Sequence, residues 1–255
     1  MGEQRQRAYG VHEQTAWTRM LTDEQWKVYG SVIQEARRRG LRSAIGGGFA
    51  VAAYTDQCRS TKDLDLYILH RDSDAMVEVL TSCGLADYYE KAPYDRSWIY
   101  RSYTGEIIVD IIWAMANQRV EVDEDWLLRG PEAPVRGETV SVIPAELMIW
   151  DKLHVMQRDR SDWPDVLNLL YTTGPELDWE YLMGRAGFDR ALISGALWVF
   201  GYVSPGRARE IPAWVWDRLR VPLPPPGPDV DRHHVELLDR RPWFALADTE
   251  CLPSR

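Results

Sequence analysis

The sequence predicts an α+β fold, a mixed β-sheet flanked by helices, followed by an all-helical domain. Three observations support this. Short apolar segments typical of strands alternate with helical patterns in the first half, and beyond Pro144 the spacing is almost all helical. A proline-rich stretch, VPLPPPGPDVD, then lacks the backbone donors that a helix or a central strand needs. The predicted divisions are a first domain over 1–120, a helical domain over 121–220, and a connector with a C-terminal tail over 221–255.

The first predicted helix covers residues 23–39, where apolar side chains recur at helical spacing, acids come first, and arginines and Gly40 come last. LRSAI then predicts a strand that runs into a glycine turn, and FAVAAY predicts a short apolar helix after it. DLDLYIL alternates acidic and apolar residues at period two, which predicts a strand over 63–69. A helix over 73–82 follows, and then come three strands, LADYYEK, RSWIYRSY and GEIIVDIIWAM.

The second half predicts five helices, over 145–159, 162–171, 177–187, 189–203 and 210–219. The chain of 255 residues is 45% hydrophobic, which suits a substantial core. No stretch approaches the roughly 18 uncharged apolar residues of a membrane span, and the opening MGEQRQRAYG is polar. We therefore expect a cytoplasmic protein with no membrane partner. The three cysteines are too widely spaced for a zinc site.

The net charge of -9 repels nucleic acid unless a local basic patch attracts it. One candidate patch lies at the end of the first helix and consists of Arg37, Arg38, Arg39 and Arg42. Arginines in this position also suit the negative end of the helix dipole and can simply be solvated. Both interpretations of the patch stay open at this point.

Three aspartates stand where stability alone would not place them. Asp63 and Asp65 share one face of a strand, and Asp110 interrupts the apolar strand IIVDIIW. If the two strands lie side by side, three carboxylates meet and raise one another's pKa. Mg²⁺ removes that penalty because it prefers hard oxygen ligands. The alternative is that Asp63 and Asp65 face solvent on an edge strand while Asp110 turns outward at a bulge.

The glycines before this strand complete a candidate phosphoryl-transfer site. Gly47 and Gly48 open a helix, where free N–H groups attract anions and the lack of side chains lets phosphate oxygens approach. IGGGFAVAAY, RSTKDLDLYIL and IIVDIIW together resemble the glycine turn, paired-acid strand and third-acid strand of the DNA-polymerase-β-like nucleotidyltransferase superfamily. The segment before the acids and AELMIWDKLHVMQRDRSDWPDV resemble its AbiEii-type and aminoglycoside- or lincosamide-nucleotidyltransferase-like branches.

The resemblance implies that Asp63 and Asp65 bind two Mg²⁺ ions and that Asp110 completes the metal site and helps to deprotonate an acceptor hydroxyl. It implies that the triphosphate is held by Gly47 and Gly48, with Arg59 and Thr61 as further nucleotide-binding residues. Many members carry serine at the position of Gly48, so the sequence departs from the family here.

Lys152 lies in an apolar arc of its predicted helix, between Met148 and Met156, and needs a negative partner. The resemblance places a phosphate-binding lysine on this helix; a lysine that extends past the methionines to water is the alternative. Asp162 and Asp165 suit the start of the next helix as a cap and a dipole-stabilising acid.

The resulting hypothesis is a Mg²⁺-dependent nucleotidyltransferase that transfers an NMP from an NTP to an acceptor hydroxyl and releases pyrophosphate. The acidic balance favours a small cationic acceptor such as an aminoglycoside-like compound. A type IV toxin-like enzyme that acts on tRNA and a catalytically inactive nucleotide-binding regulatory module are the alternatives.

Overall fold

A computed structural model describes residues 21–57 and 61–238. The described residues form two compact units that divide between Pro144 and Ala145, later than the boundary predicted at residue 120. The segment between these positions belongs to the first unit because its backbone is tied there. The N–H of Ile143 donates to the carbonyl of Ile45 at 3.0 Å, and the Tyr54 hydroxyl donates to the carbonyl of Ile143 at 2.8 Å.

The first unit contains a five-stranded mixed sheet in the order β1-β2-β5-β4-β3. β2 and β5 are parallel neighbours, and the other pairs are antiparallel. The side-by-side placement predicted for the two acid-bearing strands is therefore present. The strands are β1 (Ala44–Ile45), β2 (Asp63–Tyr67), β3 (Ala86–Asp87), β4 (Ile99–Thr104) and β5 (Ile107–Ile112), and a separate hairpin is formed by β6 (Glu132–Val135) and β7 (Glu138–Ser141).

Within the described residues, four α-helices accompany the sheet: α1 (Asp23–Arg38), α2 (Gly47–Thr55), α3 (Ser73–Ser82) and α4 (Glu124–Leu128). α1 begins at a capping box, in which the Thr22 side chain accepts the N–H of Gln25 and the Gln25 side chain accepts the N–H of Thr22. α3 has the predicted bounds. α2 is apolar on all sides and buried, with Ala50, Ala52 and Ala53 excluded from solvent.

One predicted strand of this unit is mostly wrong. LADYYEK was expected to be extended throughout, yet only Ala86–Asp87 is a strand, and Tyr88–Glu90 forms a 3-10 turn. The cause is local, because the Asp87 side chain accepts the N–H of Tyr89 at 2.8 Å and turns the backbone.

The second unit is helical, as predicted. Its helices are α5 (Ala145–Leu153), α6 (Trp163–Thr173), α7 (Trp179–Ala186), α8 (Arg190–Val203), α9 (Pro205–Ala208), α10 (Ala213–Leu219) and α11 (Arg232–Leu238). α5 ends before the predicted residue 159, because a turn closed by the N–H of Gln157 and the carbonyl of Arg160 at 2.7 Å follows it. This turn brings the start of α6 back to the end of α5.

The proline-rich stretch has no regular structure, as predicted, but its end packs within the helical unit. The N–H of Asp231 donates to the carbonyl of Val203 at 2.8 Å, and that of Gly206 donates to the carbonyl of Pro228 at 2.8 Å. Among residues 21–57 and 61–238, no helix has both the length and the apolar character needed to cross a membrane.

Candidate active site

The parallel pairing of β2 and β5 brings the three predicted acids together. Asp65 lies directly opposite Asp110 in the register, and Asp63 lies two residues earlier on the same face of β2. Carboxylate oxygens of Asp63, Asp65 and Asp110 lie within 4.8 Å of one another. Asp110 is buried, while Asp63 and Asp65 are half-buried at the open side of the cluster. The structure therefore supplies a set of oxygen donors on which a cation can bind.

Arg101 is a member of this site that the sequence reasoning missed. It lies on β4 opposite Asp110, and its Nε is 2.9 Å from Asp110 Oδ1. Its Nη2 is 2.5 Å from Asp110 Oδ2 and 3.3 Å from Asp63 Oδ2. The signal was available, because counting back from the turn at Gly105 places residue 101 opposite residue 110. The cluster thus carries three acids and one base rather than three acids alone.

The pKa values of this cluster follow from burial and from the guanidinium. Burial raises the pKa of Asp110 to about 6, while the hydrogen bonds from Arg101 pull in the opposite direction and Asp63 adds repulsion. The hydrogen bonds to Asp110 raise the pKa of Arg101, so its charge is secured at every accessible pH. Burial is the larger effect on Asp110, since its side chain is only 1% exposed.

Tyr29 is a second group that sequence reasoning treated only as part of an apolar helix face. Its side chain is buried on α1, and its hydroxyl has no hydrogen-bond partner in the described part of the chain. Burial raises the pKa of this hydroxyl, and the charges of Asp63, Asp65 and Asp110 raise it further. The hydroxyl therefore stays protonated.

The glycine turn is shaped by the acid strand. Gly47 has a φ of +55°, and a Cβ on it would lie 1.7 Å from Asp65 Oδ2, so no other residue fits without moving the carboxylate. A Cβ on Gly46 would lie 2.2 Å from the ring of Tyr67. The N–H of Gly46 also donates to the carbonyl of Asp65 at 2.9 Å. The turn and the paired acids are thus one rigid arrangement.

Position 48, where many members of the superfamily that the sequence resembles carry serine, has a structural reason to be glycine. A Cβ there would lie 3.0 Å from both Cβ and Oγ1 of Thr61, so the threonine fills the space that a serine side chain would use. Thr61 Oγ1 is also 3.2 Å from Asp63 Oδ1. The structure therefore places the predicted residue Thr61 beside both the turn and the first acid. Arg59 lies outside the described residues.

The surroundings of Lys152 differ from those predicted. It is buried in the helical unit, and its Nζ is 2.8 Å from both Asp162 Oδ2 and Asp165 Oδ2. Burial works to lower the pKa of Lys152, but the two carboxylates outweigh it, so the pKa is raised and the amine stays charged. It neither extends to water nor lacks a negative partner. Its role toward phosphate stays a prediction.

Asp162 takes the cap position of α6, but its side chain makes no capping hydrogen bond and turns to Lys152 instead. Arg160 adds a contact of 3.1 Å to the same carboxylate. Although burial raises the pKa of Asp162, the two bases lower it by more, and the net shift is downward. The capping hydrogen bond expected of Asp162 is thus replaced by ion pairs, whereas Asp165 lies in the first turn of α6, as expected of a dipole-stabilising acid, and also contacts Lys152.

The arginines at the end of α1 are paired with glutamates. Arg37 contacts Glu138 at 2.9 Å, and Arg38 and Arg39 both contact Glu35 at 2.7 Å. Arg42 shares Glu124 with Arg71. The sequence patch is therefore largely neutralised in the fold, which weakens it as an attractor for nucleic acid.

Comparison with known proteins identifies the fold. No protein-family model matches the chain, and no curated protein matches it. Among solved structures, the solution structure of the antibiotic-resistance factor ANT(2'')-Ia is 18% identical, with a TM-score of 0.52 over 69% of this chain and 97% of that chain. The crystal structure of ANT(2'')-Ia with adenylyl-2''-tobramycin is 19% identical, with a TM-score of 0.50 over 64% and 96%. The chain has the nucleotidyltransferase fold.

Proposed function

We propose that this protein is a nucleotidyltransferase that transfers an NMP from an NTP to an acceptor hydroxyl and releases pyrophosphate. The observation that carries the proposal is the cluster of Asp63, Asp65 and Asp110 directly beside the turn at Gly47. A cluster of acids with only a structural role would not need a glycine at positive φ packed against one of its carboxylates. A site that receives a triphosphate and a cation needs both parts at this spacing.

The acids fit the magnesium that the fold family implies. Their donors are carboxylate oxygens, which Mg²⁺ prefers, and the guanidinium of Arg101 already bridges Asp63 and Asp110 as a stand-in cation. Asp63, Asp65 and Asp110 would hold the two ions expected from the sequence. When bound, Mg²⁺ supplies activation of the attacking oxygen and neutralisation of the phosphate charge.

The chain's own residues supply positioning and proton transfer. α2 begins at Gly47, so the first N–H groups of this nine-residue helix precede its internal hydrogen bonds and can face a phosphate. Thr61 orients Asp63 through its hydroxyl. Asp110, opposite Asp65 on the neighbouring strand, would accept the proton of the acceptor hydroxyl.

A small cationic acceptor suits the site better than RNA does. Three acids and one arginine leave the cluster with a negative charge before any ligand binds, and the chain as a whole carries -9. The basic patch that favoured tRNA is paired with Glu35, Glu124 and Glu138. An aminoglycoside-like compound therefore remains the preferred acceptor, and one fold neighbour carries an adenylylated aminoglycoside.

The test is a screen of four NTPs with Mg²⁺ against aminoglycosides, lincosamides and tRNA, read by pyrophosphate release and by thermal shift. We expect drug-dependent release that Asp63→Asn abolishes. Asp74→Asn, which removes an exposed carboxylate from α3 in the same unit, should leave it unchanged. Release only with tRNA would indicate the toxin-like activity. A Mg²⁺-dependent nucleotide shift without pyrophosphate from any acceptor would indicate a binding module and overturn the proposal.

A further inference from the structure

The guanidinium of Arg101 uses the oxygens that the metal would use. It contacts both oxygens of Asp110, with Nε at 2.9 Å from Oδ1 and 3.1 Å from Oδ2, and it also reaches Oδ2 of Asp63. A cation shared between Asp63 and Asp110 would meet this positive charge at close range. The two cations therefore compete for the same carboxylates.

The surroundings of Arg101 allow its side chain to leave. Its side chain is 34% exposed and that of Asp63 is 32% exposed, whereas Asp110 is sealed. The backbone of residue 101 stays fixed, because it is paired with Asp110 between β4 and β5 and its N–H donates to the hydroxyl of Tyr94 at 3.1 Å. The ring of Tyr88, with its centroid 5.9 Å from the guanidinium carbon, offers an alternative face for the charge.

Removal of a cation from Asp110 without a replacement is costly. The carboxylate is buried, and a buried charge without a partner is strongly destabilising. Arg101 therefore satisfies Asp110 in the metal-free protein, and a divalent ion satisfies it after exchange. The carboxylate keeps a cation in both states.

We propose that Arg101 is a positioning residue that acts as a built-in counter-cation, which a divalent metal must displace from Asp63 and Asp110. It sets the metal affinity of the empty site and keeps the buried carboxylate paired until the metal arrives. The inference rests on the proposed function in one respect, because it assumes that these acids bind the metal. The displaced guanidinium remains next to the site, where a triphosphate can attract it.

The experiment titrates the full chain with Mn²⁺ in the absence of nucleotide and counts free Mn²⁺ by electron paramagnetic resonance. Arg101→Gln is expected to bind Mn²⁺ about tenfold more tightly than the wild type, a coupling typical of two competing ligands. Its metal-free form is expected to melt at a lower temperature, so Mn²⁺ raises its Tm by more than it raises that of the wild type. Arg101→Lys keeps the charge without the forked contact and is expected to fall between the two.

Arg96→Gln is the matched control. Arg96 is a partly exposed arginine that contacts Asp87 and the ring of Tyr89 in the same unit, and its loss also removes one positive charge. We expect its Mn²⁺ affinity to equal that of the wild type. A general charge effect would instead tighten binding in Arg96→Gln as much as in Arg101→Gln and would overturn the proposal.

The remaining outcomes separate this inference from the proposed function. Unchanged or weaker Mn²⁺ binding in Arg101→Gln, with binding intact in the wild type, overturns the counter-cation role alone. No Mn²⁺ binding in either protein overturns the metal site and the proposed function with it. If Arg101→Gln does not fold, the Arg101→Lys titration decides, because wild-type affinity in that variant contradicts competition by the forked guanidinium.

Discussion

Two clusters in the described part of the chain hold a basic side chain between two aspartates, and they differ in access to water. In the sheet unit, Arg101 lies between Asp63 and Asp110 with a third of its side chain exposed. In the helical unit, the side chain of Lys152 is 7% exposed between Asp162 and Asp165. The same arrangement of charges can thus allow a cation to be exchanged at Arg101 and hold a cation permanently at Lys152.

The chemistry of the bases agrees with this difference. A lysine ammonium is a point charge whose burial is tolerated only with close partners, and here both carboxylates lie at 2.8 Å. The arginine fork holds Asp110 but meets Asp63 at a looser 3.3 Å on the exposed side. We therefore expect the Lys152 cluster to stabilise the fold and the Arg101 cluster to exchange its cation.

The largest expected effect is a loss of stability when the Lys152 cluster is disrupted. Lys152→Met leaves two buried carboxylates without their lysine, and we expect a loss of about 3–5 kcal/mol in the free energy of unfolding. Urea denaturation followed by circular dichroism measures it. Arg160→Gln removes a solvent-side contact to Asp162 and should cost less than about 1 kcal/mol. If both variants lose the same small amount, the Lys152 cluster is not a stability element.

A second prediction concerns the pH dependence of stability that arises from Asp110 in the Arg101 cluster. Because burial raises the pKa of Asp110 to about 6, the folded protein binds this proton more tightly than the unfolded chain does. Stability should therefore fall as pH rises from about 4 to about 6, by at most about 3 kcal/mol, and this slope should be missing in Asp110→Asn.

The measurement is the urea midpoint of both proteins across this pH range, without divalent ions. A wild-type stability that rises with pH relative to Asp110→Asn would contradict the prediction. It would mean that the bond from Arg101 outweighs burial and holds the pKa of Asp110 below its ordinary value.

The smallest effect on stability is expected at the glycine turn, where one of two matched substitutions should also weaken Mn²⁺ binding. Gly47→Ala and Gly105→Ala both place alanine at a positive φ, +55° and +57°, and this backbone conformation alone costs each about 1–2 kcal/mol. Only Gly47→Ala forces a Cβ onto Asp65, whereas a Cβ on Gly105 meets nothing within 4 Å. Mn²⁺ titration should show weaker binding in Gly47→Ala and unchanged binding in Gly105→Ala. Equal affinities would show that the turn does not set the position of Asp65.

Much of the sheet unit was predictable because its signals are local. The period-two pattern of DLDLYIL predicted β2, and the apolar run around Asp110 predicted β5. The glycines before the strand indicated the turn. What the sequence could not show is which face of α1 meets the sheet, and this is why Tyr29 was linked to the acids only by the structure. Arg101 could have been found, because the hairpin that turns at Gly105 places it opposite Asp110.

The ion cluster of the helical unit was harder to predict for a different reason. Lys152 was recognised as needing a negative partner, but its partners lie ten and more positions along the chain, beyond an unpredicted turn. Periodicity extended α5 to residue 159, and that extension hid the return that brings Asp162 back to Lys152. An ion cluster formed across a turn depends on the exact end of a helix, which is the least certain quantity in pattern reasoning.

The hydrogen bond from the Gly46 N–H to the Asp65 carbonyl joins the turn to the acid strand through main-chain atoms alone. The spacing between these two parts is therefore set when the chain folds, and an incoming substrate spends no binding energy on assembling them. Because the link uses main-chain atoms, a substitution of Asp65 removes its carboxylate without removing this bond, whereas position 46 is restricted to glycine by the ring of Tyr67.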